Sequence, residues 1–307
     1  MCDSVRIQAP AKVNLSLEVR GRRSDGYHEL RTIMQAVDLR DEIRLGSRDD
    51  GRITLSCDAE DVPDGERNLA FRAAELLKGE LGITDGVDIE LLKRIPPGAG
   101  LGGGSSDCAA TLRGLNVLWQ GGLDAHTLEN LGGELGSDVP FFVRGGTAVC
   151  TGRGEKVEQT PTRGPFHYVI VLPGFPVSTA SVYARCGDSL TMTQGGYNNI
   201  YRALQAGNAE KLGSFLFNAL EEPACREDAR LAELKERMDS LAKQTRSFGR
   251  LLCGSGSSIL SLHAGKKDAE RAARIYGGAL ALRTEPVASL PDWGICGLLE
   301  REESSQC

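Results

Sequence analysis

The chain reads as an α+β protein of two lobes, and three observations carry that reading. Strand-like alternation dominates the first half, helical periodicity dominates the second, and neither follows a strict strand–helix–strand order. With 307 residues the chain can bury a large core in one or two domains. The texture changes beyond Pro176, and a boundary within 155–175 sets an N-terminal lobe over 1–160 and a C-terminal lobe over 161–307.

Residues 5–19 predict two strands interrupted at Pro10, with alternation through Val13, Leu15, Leu17 and Val19. Residues 21–28 form a polar, charged loop, and 30–45 and 52–57 resume the strand pattern. Asn68 is placed to cap a helix bearing Leu69, Ala73, Leu76 and Leu77 on one face. Residues 87–95 alternate as a strand that runs into a glycine-rich loop. The helix after that loop, over 108–119, sets Leu112, Leu115 and Leu118 at helical spacing, and Asp124 caps another that reaches Leu135. Residues 147–150 and 167–172 are strands. Helices are predicted over 179–185, 196–205, 209–216 and 227–243, the last with a core stripe of Leu231, Leu234, Met238 and Leu241. Short strands at 250–253 and 259–262 flank a second glycine–serine loop, a helix covers 266–276, and a final strand covers 279–283.

Composition excludes several classes of function. The apolar and charged fractions, 40% and 25%, are ordinary for a globular protein. A net charge of −6 without a basic run argues against nucleic acid or a membrane surface as the main partner. No signal peptide and no membrane-length apolar stretch is readable, which points to the cytoplasm. Nine dispersed cysteines without a C-x-x-C pair read as free thiols in a reducing compartment, and four dispersed histidines offer no metal cluster.

Chemistry concentrates in one segment: Pro96, Pro97, Gly98, Ala99, Gly100, Leu101, Gly102, Gly103, Gly104, Ser105 and Ser106. Five glycines fall within the seven positions 98–104, immediately before a helix. Such a loop gathers unpaired N–H groups and the positive end of a helix dipole, an arrangement suited to phosphate. A glycine-rich surface turn is the plainer alternative. No lysine stands where a Walker loop needs one. A dinucleotide fingerprint matches formally at Gly98, Gly100 and Gly103, but Asp124, at roughly the right distance, reads as a helix cap rather than a strand end. Lys12 lies in an apolar strand context, where a lysine either meets an anion or faces outward. Asp138 follows Gly136 and Ser137 and precedes an apolar run, a pattern that by itself fits a turn-forming or helix-capping role better than a chemical one. By themselves Tyr27 and His28 read as a loop anchor, and residues 254–258 as a hairpin turn.

Together these pieces resemble the GHMP kinases, the group of galactokinase, homoserine, mevalonate and phosphomevalonate kinases. Residues 9–15 (Ala-Pro-Ala-Lys-Val-Asn-Leu), 96–106 and 253–258 (Cys-Gly-Ser-Gly-Ser-Ser) match that family's three motifs in order and spacing, over nearly the whole chain. Residues 21–28 (Gly-Arg-Arg-Ser-Asp-Gly-Tyr-His) and 135–140 (Leu-Gly-Ser-Asp-Val-Pro) resemble the branch acting on a cytidine-diphosphate-linked methylerythritol in the non-mevalonate isoprenoid route. The Gly-Glu-His element of galactokinases and mevalonate kinases is absent, and the acidic tail after Gly297 resembles nothing in the family.

The resemblance implies the two-lobed GHMP kinase fold, with a ribosomal-protein-like N-terminal lobe and a ferredoxin-like C-terminal lobe. It implies ATP as co-substrate, its phosphates over residues 96–106, with Mg²⁺ and Ser106 as a candidate ligand of the metal. Asp138 would take the proton of the attacking hydroxyl, and Lys12 would hold that pair in line. Asn14, Tyr27, His28 and Tyr183 would contact the second substrate, and Asn68 and Lys93 would lie near the adenine. A monomer or weak homodimer, with a small-molecule partner only, completes the expectation.

Overall fold

A computed structural model of the chain describes residues 4–186, 196–290 and 299–302. The N-terminal part runs β1 (Ser4–Arg22), β2 (His28–Arg48), β3 (Ile53–Cys57), α1 (Leu69–Leu81), β4 (Gly86–Leu92) and α2 (Gly103–Leu118). It continues with α3 (Ala125–Leu135), α4 (Val139–Arg144), β5 (Thr147–Gly152) and β6 (Lys156–Gln159). After β7 (His167–Leu172) come α5 (Thr179–Arg185), α6 (Gly196–Ala206), α7 (Ala209–Phe215), β8 (Phe217–Asn218), α8 (Glu221–Glu227), α9 (Ala229–Ser240) and α10 (Ala242–Thr245). The chain then forms β9 (Gly249–Leu252), β10 (Ile259–His263), α11 (Lys266–Leu280), β11 (Arg283–Ala288) and β12 (Leu299–Glu302).

Two sheets organise these elements. The larger follows the order β12-β1-β2-β4-β3, with β5 on β2, β6 on β5 and β8 on β1. The smaller is antiparallel in the order β11-β7-β10-β9. Numbered within itself that order is 4-1-3-2, and its strand–helix–strand–strand–helix–strand succession is ferredoxin-like. Two strands from late in the chain return to the first sheet: β8 pairs parallel to β1, and β12 pairs antiparallel with it.

β1 is the spine of the molecule. Its odd residues serve three apolar cores in turn. Val5, Ile7 and Ala9 pack with α1 and α2; Ala11, Val13 and Leu15 pack with the second sheet; Leu17 and Val19 pack with the helices behind that sheet. Even residues point to the other side, and there Lys12, Asn14, Ser16 and Glu18 are buried polar groups. The break expected at Pro10 is absent. Pro10 has no N–H to give the ladder, but the β1–β2 register shifts between Pro10 and Ala11, so the strand continues through an irregularity.

Local chemistry explains most boundaries. Asn68 caps α1 through a bond from the Ala70 N–H, and Gly82 closes that helix in the left-handed conformation. Asp124 caps α3 by accepting from the Thr127 N–H. The helix after the glycine loop, expected from residue 108, begins five residues earlier at Gly103. Three further differences from the sequence reading stand out. The helix expected over 227–243 is three pieces, because Asp228 is extended and caps α9 while Leu241 ends it. The strand expected over 279–283 starts only at Arg283, since α11 continues to Leu280. Residues 139–144, which carry no amphipathic period, form the short helix α4 because all but one are buried among α2, α3 and the sheet.

Candidate active site

A cavity of about 860 Å³ opens between the sheets, and its floor is the polar side of β1. Lys12 is 5% exposed, and its Nζ donates to Asn14 Oδ1 at 2.8 Å. Asp138 Oδ2 stands 3.7 Å from the same nitrogen. Asp138 occupies the N-cap position of α4 yet makes no side-chain cap bond. Its carboxylate therefore keeps its acceptors for the cavity. Close passage of the chain helps: a Cβ on Gly154 would lie 3.6 Å from Asp138 Oδ1.

Above Lys12 the glycine loop meets the second glycine–serine loop. The Lys12 N–H donates to Leu101 O at 2.9 Å, and the Ser258 N–H donates to Ala99 O at 3.2 Å. Gly100, at φ +77°, lies so close that a Cβ there would collide with the carbonyl oxygen of Cys253. Gly102, at φ +73°, is the N-cap of α2; a Cβ on it would sit 2.8 Å from the Phe142 ring and 3.1 Å from Lys12 Cγ. No side chain caps the start of this 16-residue helix, so its first N–H groups lack a side-chain acceptor. Pro97, Gly98 and Gly104 are exposed at the loop surface, Pro96, Gly103 and Ser105 are half-buried, and Ala99 and Leu101 are anchored in the core. Ser106 is buried at the first turn, and its Oγ has no partner among the described residues.

The opposite wall is aromatic. His28 and Tyr183 stack with centroids 5.2 Å apart at 27°. Burial first, and the Asp138 charge second, raises the Tyr183 pKa, so its phenol stays neutral. Tyr27 is 54% exposed at the rim, with the Arg153 guanidinium 5.0 Å above its ring.

Of the residues singled out from sequence, Lys12, Asn14, Tyr27, His28, Gly100, Gly102, Asp138 and Tyr183 line this one cavity. Asn68 and Lys93 lie behind the loop instead. Both ends of the Asn68 amide are engaged, one capping α1 and the other donating to Pro63 O at 2.8 Å. The Lys93 ammonium lies between Asp41 Oδ2 at 2.6 Å and Asp107 Oδ2 at 2.5 Å. Burial works against the charge of Lys93, but the two carboxylates outweigh it and raise its pKa. Burial first, and the neighbouring Asp41 charge, push the Asp107 pKa up against the pull of Lys93.

Among the cavity residues that sequence reasoning missed are Arg153 and Thr32. Arg153 stood between two glycines just beyond a strand, a readable loop signal. Thr32 looked like any β-branched strand residue, and nothing local distinguishes it. Among the described residues no group of three or more His, Cys, Asp or Glu side chains could hold a metal ion, and no helix is long and apolar enough to cross a membrane.

Comparisons with known proteins agree with this geometry. The GHMP kinases N terminal domain matches residues 68–146. A 4-diphosphocytidyl-2-C-methyl-D-erythritol kinase of Shouchella clausii is 42% identical over 275 residues, 89% of each chain. One of Pelotomaculum thermopropionicum is 40% identical, over 87% of this chain and 92% of its own. A crystal structure of 4-(cytidine 5'-diphospho)-2C-methyl-D-erythritol kinase superposes with a TM-score of 0.77 at 36% identity, covering 94% of this chain and all of that one. A homoserine kinase of Cytophaga hutchinsonii also reaches 0.77, at 20% identity and over 95% and 96% of the two chains, which shows the shared fold alone. With its motifs facing one cavity, and with relatives this similar over nine-tenths of its length, the chain belongs to the 4-diphosphocytidyl-2-C-methyl-D-erythritol kinase family, within the GHMP kinases.

Proposed function

We propose that this chain transfers the γ-phosphoryl group of ATP to the 2-hydroxyl of 4-diphosphocytidyl-2-C-methyl-D-erythritol, giving the 2-phosphate and ADP, as a step of the non-mevalonate isoprenoid route. The observation that carries the reading is the placement of Lys12 and Asp138, 3.7 Å apart, between an uncapped helix N-terminus and an aromatic wall. The hydroxyl oxygen attacks the γ-phosphorus as the bond to the β,γ-bridging oxygen breaks, and ADP leaves with that electron pair. Asp138 accepts the hydroxyl proton, and Lys12 holds carboxylate and hydroxyl in line while offsetting charge on the transferring group. N–H groups of the 98–104 loop and of the α2 start cradle the phosphates.

Asn14 contacts the acceptor, and His28, Tyr183 and Tyr27 take up the cytosine. Asn68 and Lys93 shape the adenine side from behind, Asn68 by fixing the start of α1 and Lys93 by tying α2 to β2. The residues present suit a magnesium ion carried chiefly by phosphate oxygens, because Ser106 offers an orphaned hydroxyl and no carboxylate cage competes among the described residues. When bound, that ion supplies charge neutralisation at the phosphates. The described cysteines, none of them disulfide-bonded, suit a reducing compartment, and we place the protein in the cytoplasm as a monomer or weak homodimer.

The test is a phosphotransfer assay with purified protein, ATP and Mg²⁺ over three acceptors: the cytidyl compound, homoserine and mevalonate. Turnover of the cytidyl compound alone is expected. Preference for another alcohol, or ATP binding without turnover, overturns the proposal.

A further inference from the structure

Lys12 does not hold itself. Behind it runs a buried chain of hydrogen bonds that ends on the backbone. Lys12 Nζ donates to Asn14 Oδ1 at 2.8 Å, Asn14 Nδ2 donates to Thr32 Oγ1 at 2.8 Å, and Thr32 Oγ1 donates to Ser16 O at 2.6 Å. Lys12, Asn14 and Thr32 are respectively 5%, 1% and 1% exposed, so solvent offers little substitute for any link.

The order of donors and acceptors is forced by Thr32. A hydroxyl has one proton, and that of Thr32 is spent on Ser16 O, beside the register shift between Asn14 and Ser16. Toward Asn14 the hydroxyl can then only accept. An amide facing an acceptor must present its NH₂, so its carbonyl oxygen turns the other way, toward Lys12. Reversing the amide would set NH₂ against the ammonium and leave Lys12 without its acceptor. The alternative neighbours of Nζ are the Asp138 carboxylate at 3.7 Å and the backbone at Gly254, where a Cβ would lie 3.3 Å away.

We infer that Thr32 is a positioning residue for phosphoryl transfer. Its hydroxyl sets the orientation of the Asn14 amide, and through it the placement of the Lys12 ammonium between Asp138 and the phosphate loop. The inference rests on the kinase reading given above. It adds a residue from β2 whose contribution is orientation rather than contact with the reacting atoms.

Two variants separate this role from packing, because they divide the threonine side chain. Thr32→Val keeps the shape and removes the hydroxyl; Thr32→Ser keeps the hydroxyl and removes a methyl. Steady-state kinetics on the cytidyl substrate and ATP, with a thermal midpoint for each variant, give the comparison. Thr32→Val is expected to lower kcat about 10- to 100-fold, the scale of a misplaced catalytic group, with both KM values within about threefold of wild type. Thr32→Ser is expected to stay within about twofold in kcat. A packing role predicts the reverse ranking. The inference is overturned by a valine variant with kcat within twofold of wild type, or by a serine variant that loses as much as valine. Should valine not fold, Thr32→Cys replaces it, since a thiol is a far weaker hydrogen-bonding group. Inactivity of the wild-type protein would overturn the kinase reading itself, an outcome distinct from either result with the variants.

Discussion

Asp138 and Lys12 carry opposite burdens at the residue scale. Asp138 makes no cap bond to α4, so replacing its carboxylate by an amide leaves the helix start intact while removing the proton acceptor and the charge that faces Lys12. Asp138→Asn should leave nucleotide affinity and thermal midpoint near wild type while lowering kcat about 10²- to 10⁴-fold. Single-turnover kinetics check it, and kcat within threefold of wild type would remove Asp138 from the role of base. The tyrosines divide by burial. Tyr183 is half-buried and stacked on His28, whereas Tyr27 is 54% exposed under Arg153. Stacking on a base is worth about 1–3 kcal/mol, so Tyr183→Ala should raise KM for the cytidyl substrate about 5- to 150-fold. Tyr27→Ala should raise it less, and KM for ATP should hold in both variants. Equal effects of the two substitutions would mean that the stacked wall does not select the base.

The proposed phosphate site belongs to the element scale, as a joint between two loops and a helix. Gly100 and Gly102 both have positive φ, which a β-carbon disfavours, and both also lack space. The two should fail differently. A side chain at Gly100 forces the glycine loop off Cys253, so Gly100→Ala should weaken ATP binding and lower stability together. A side chain at Gly102 presses on Phe142 and on the Lys12 stem, so Gly102→Val should weaken ATP binding and also depress kcat in whatever ATP-saturated fraction is reached. Calorimetric titration alongside kcat decides between them; unchanged nucleotide affinity in a folded Gly102 variant would make the loop a structural turn. Caps and stripes were legible at this scale. Asn68, Asp124 and three of the four stripe residues, Leu231, Leu234 and Met238, act as their sequence context predicts, because a cap bond or a helical face involves only near neighbours; Leu241 instead falls at the helix end. The short helix α4 was not legible, since six residues of nearly continuous apolar sequence carry no period, and burial against other elements decides their conformation.

The largest scale is that of a molecule whose middle core is shared by both sheets. Ala11, Val13 and Ile33 of the first pack with Ile170, Leu251 and Leu260 of the second. A perturbation in either lobe is therefore felt in the unfolding of the whole. His263, fully buried on β10, is an instance. Burial lowers its pKa to about 4 from 6.5, so between those values the unfolded chain binds the proton and the folded chain does not. Stability from this group is present above pH 6.5 and is lost as pH falls toward 4. Relative to His263→Leu, wild type should lose about 2–3 kcal/mol more on going from pH 7 to 4.5, measured by denaturant unfolding. Parallel pH profiles for the two proteins would mean that His263 meets a partner when protonated.

By itself the sequence determined what depends on short separations: the glycine loop, the caps at Asn68 and Asp124, most strands and helices, and three ordered motifs whose spacing points to one family. It also pointed to cavity residues from Lys12 to Tyr183: Lys12, Tyr27, His28 and Asp138 had plainer readings alone, and Asn14 and Tyr183 came only through the family resemblance. Only the tertiary structure decided between those readings. Lys12 turns inward because β1 is buried on both sides, and Asp138, which makes no cap bond to its helix, stands 3.7 Å from it. The tertiary structure likewise set the Lys93 ammonium between Asp41 and Asp107, and joined Thr32 to both Asn14 and the Ser16 carbonyl. The physical reason is one of range. A cap or a periodic face is settled within a turn or two of chain, but the partner of a buried charge lies on another element. Residues 12 and 138, or 93 and 41, meet only after the sheets have closed around them.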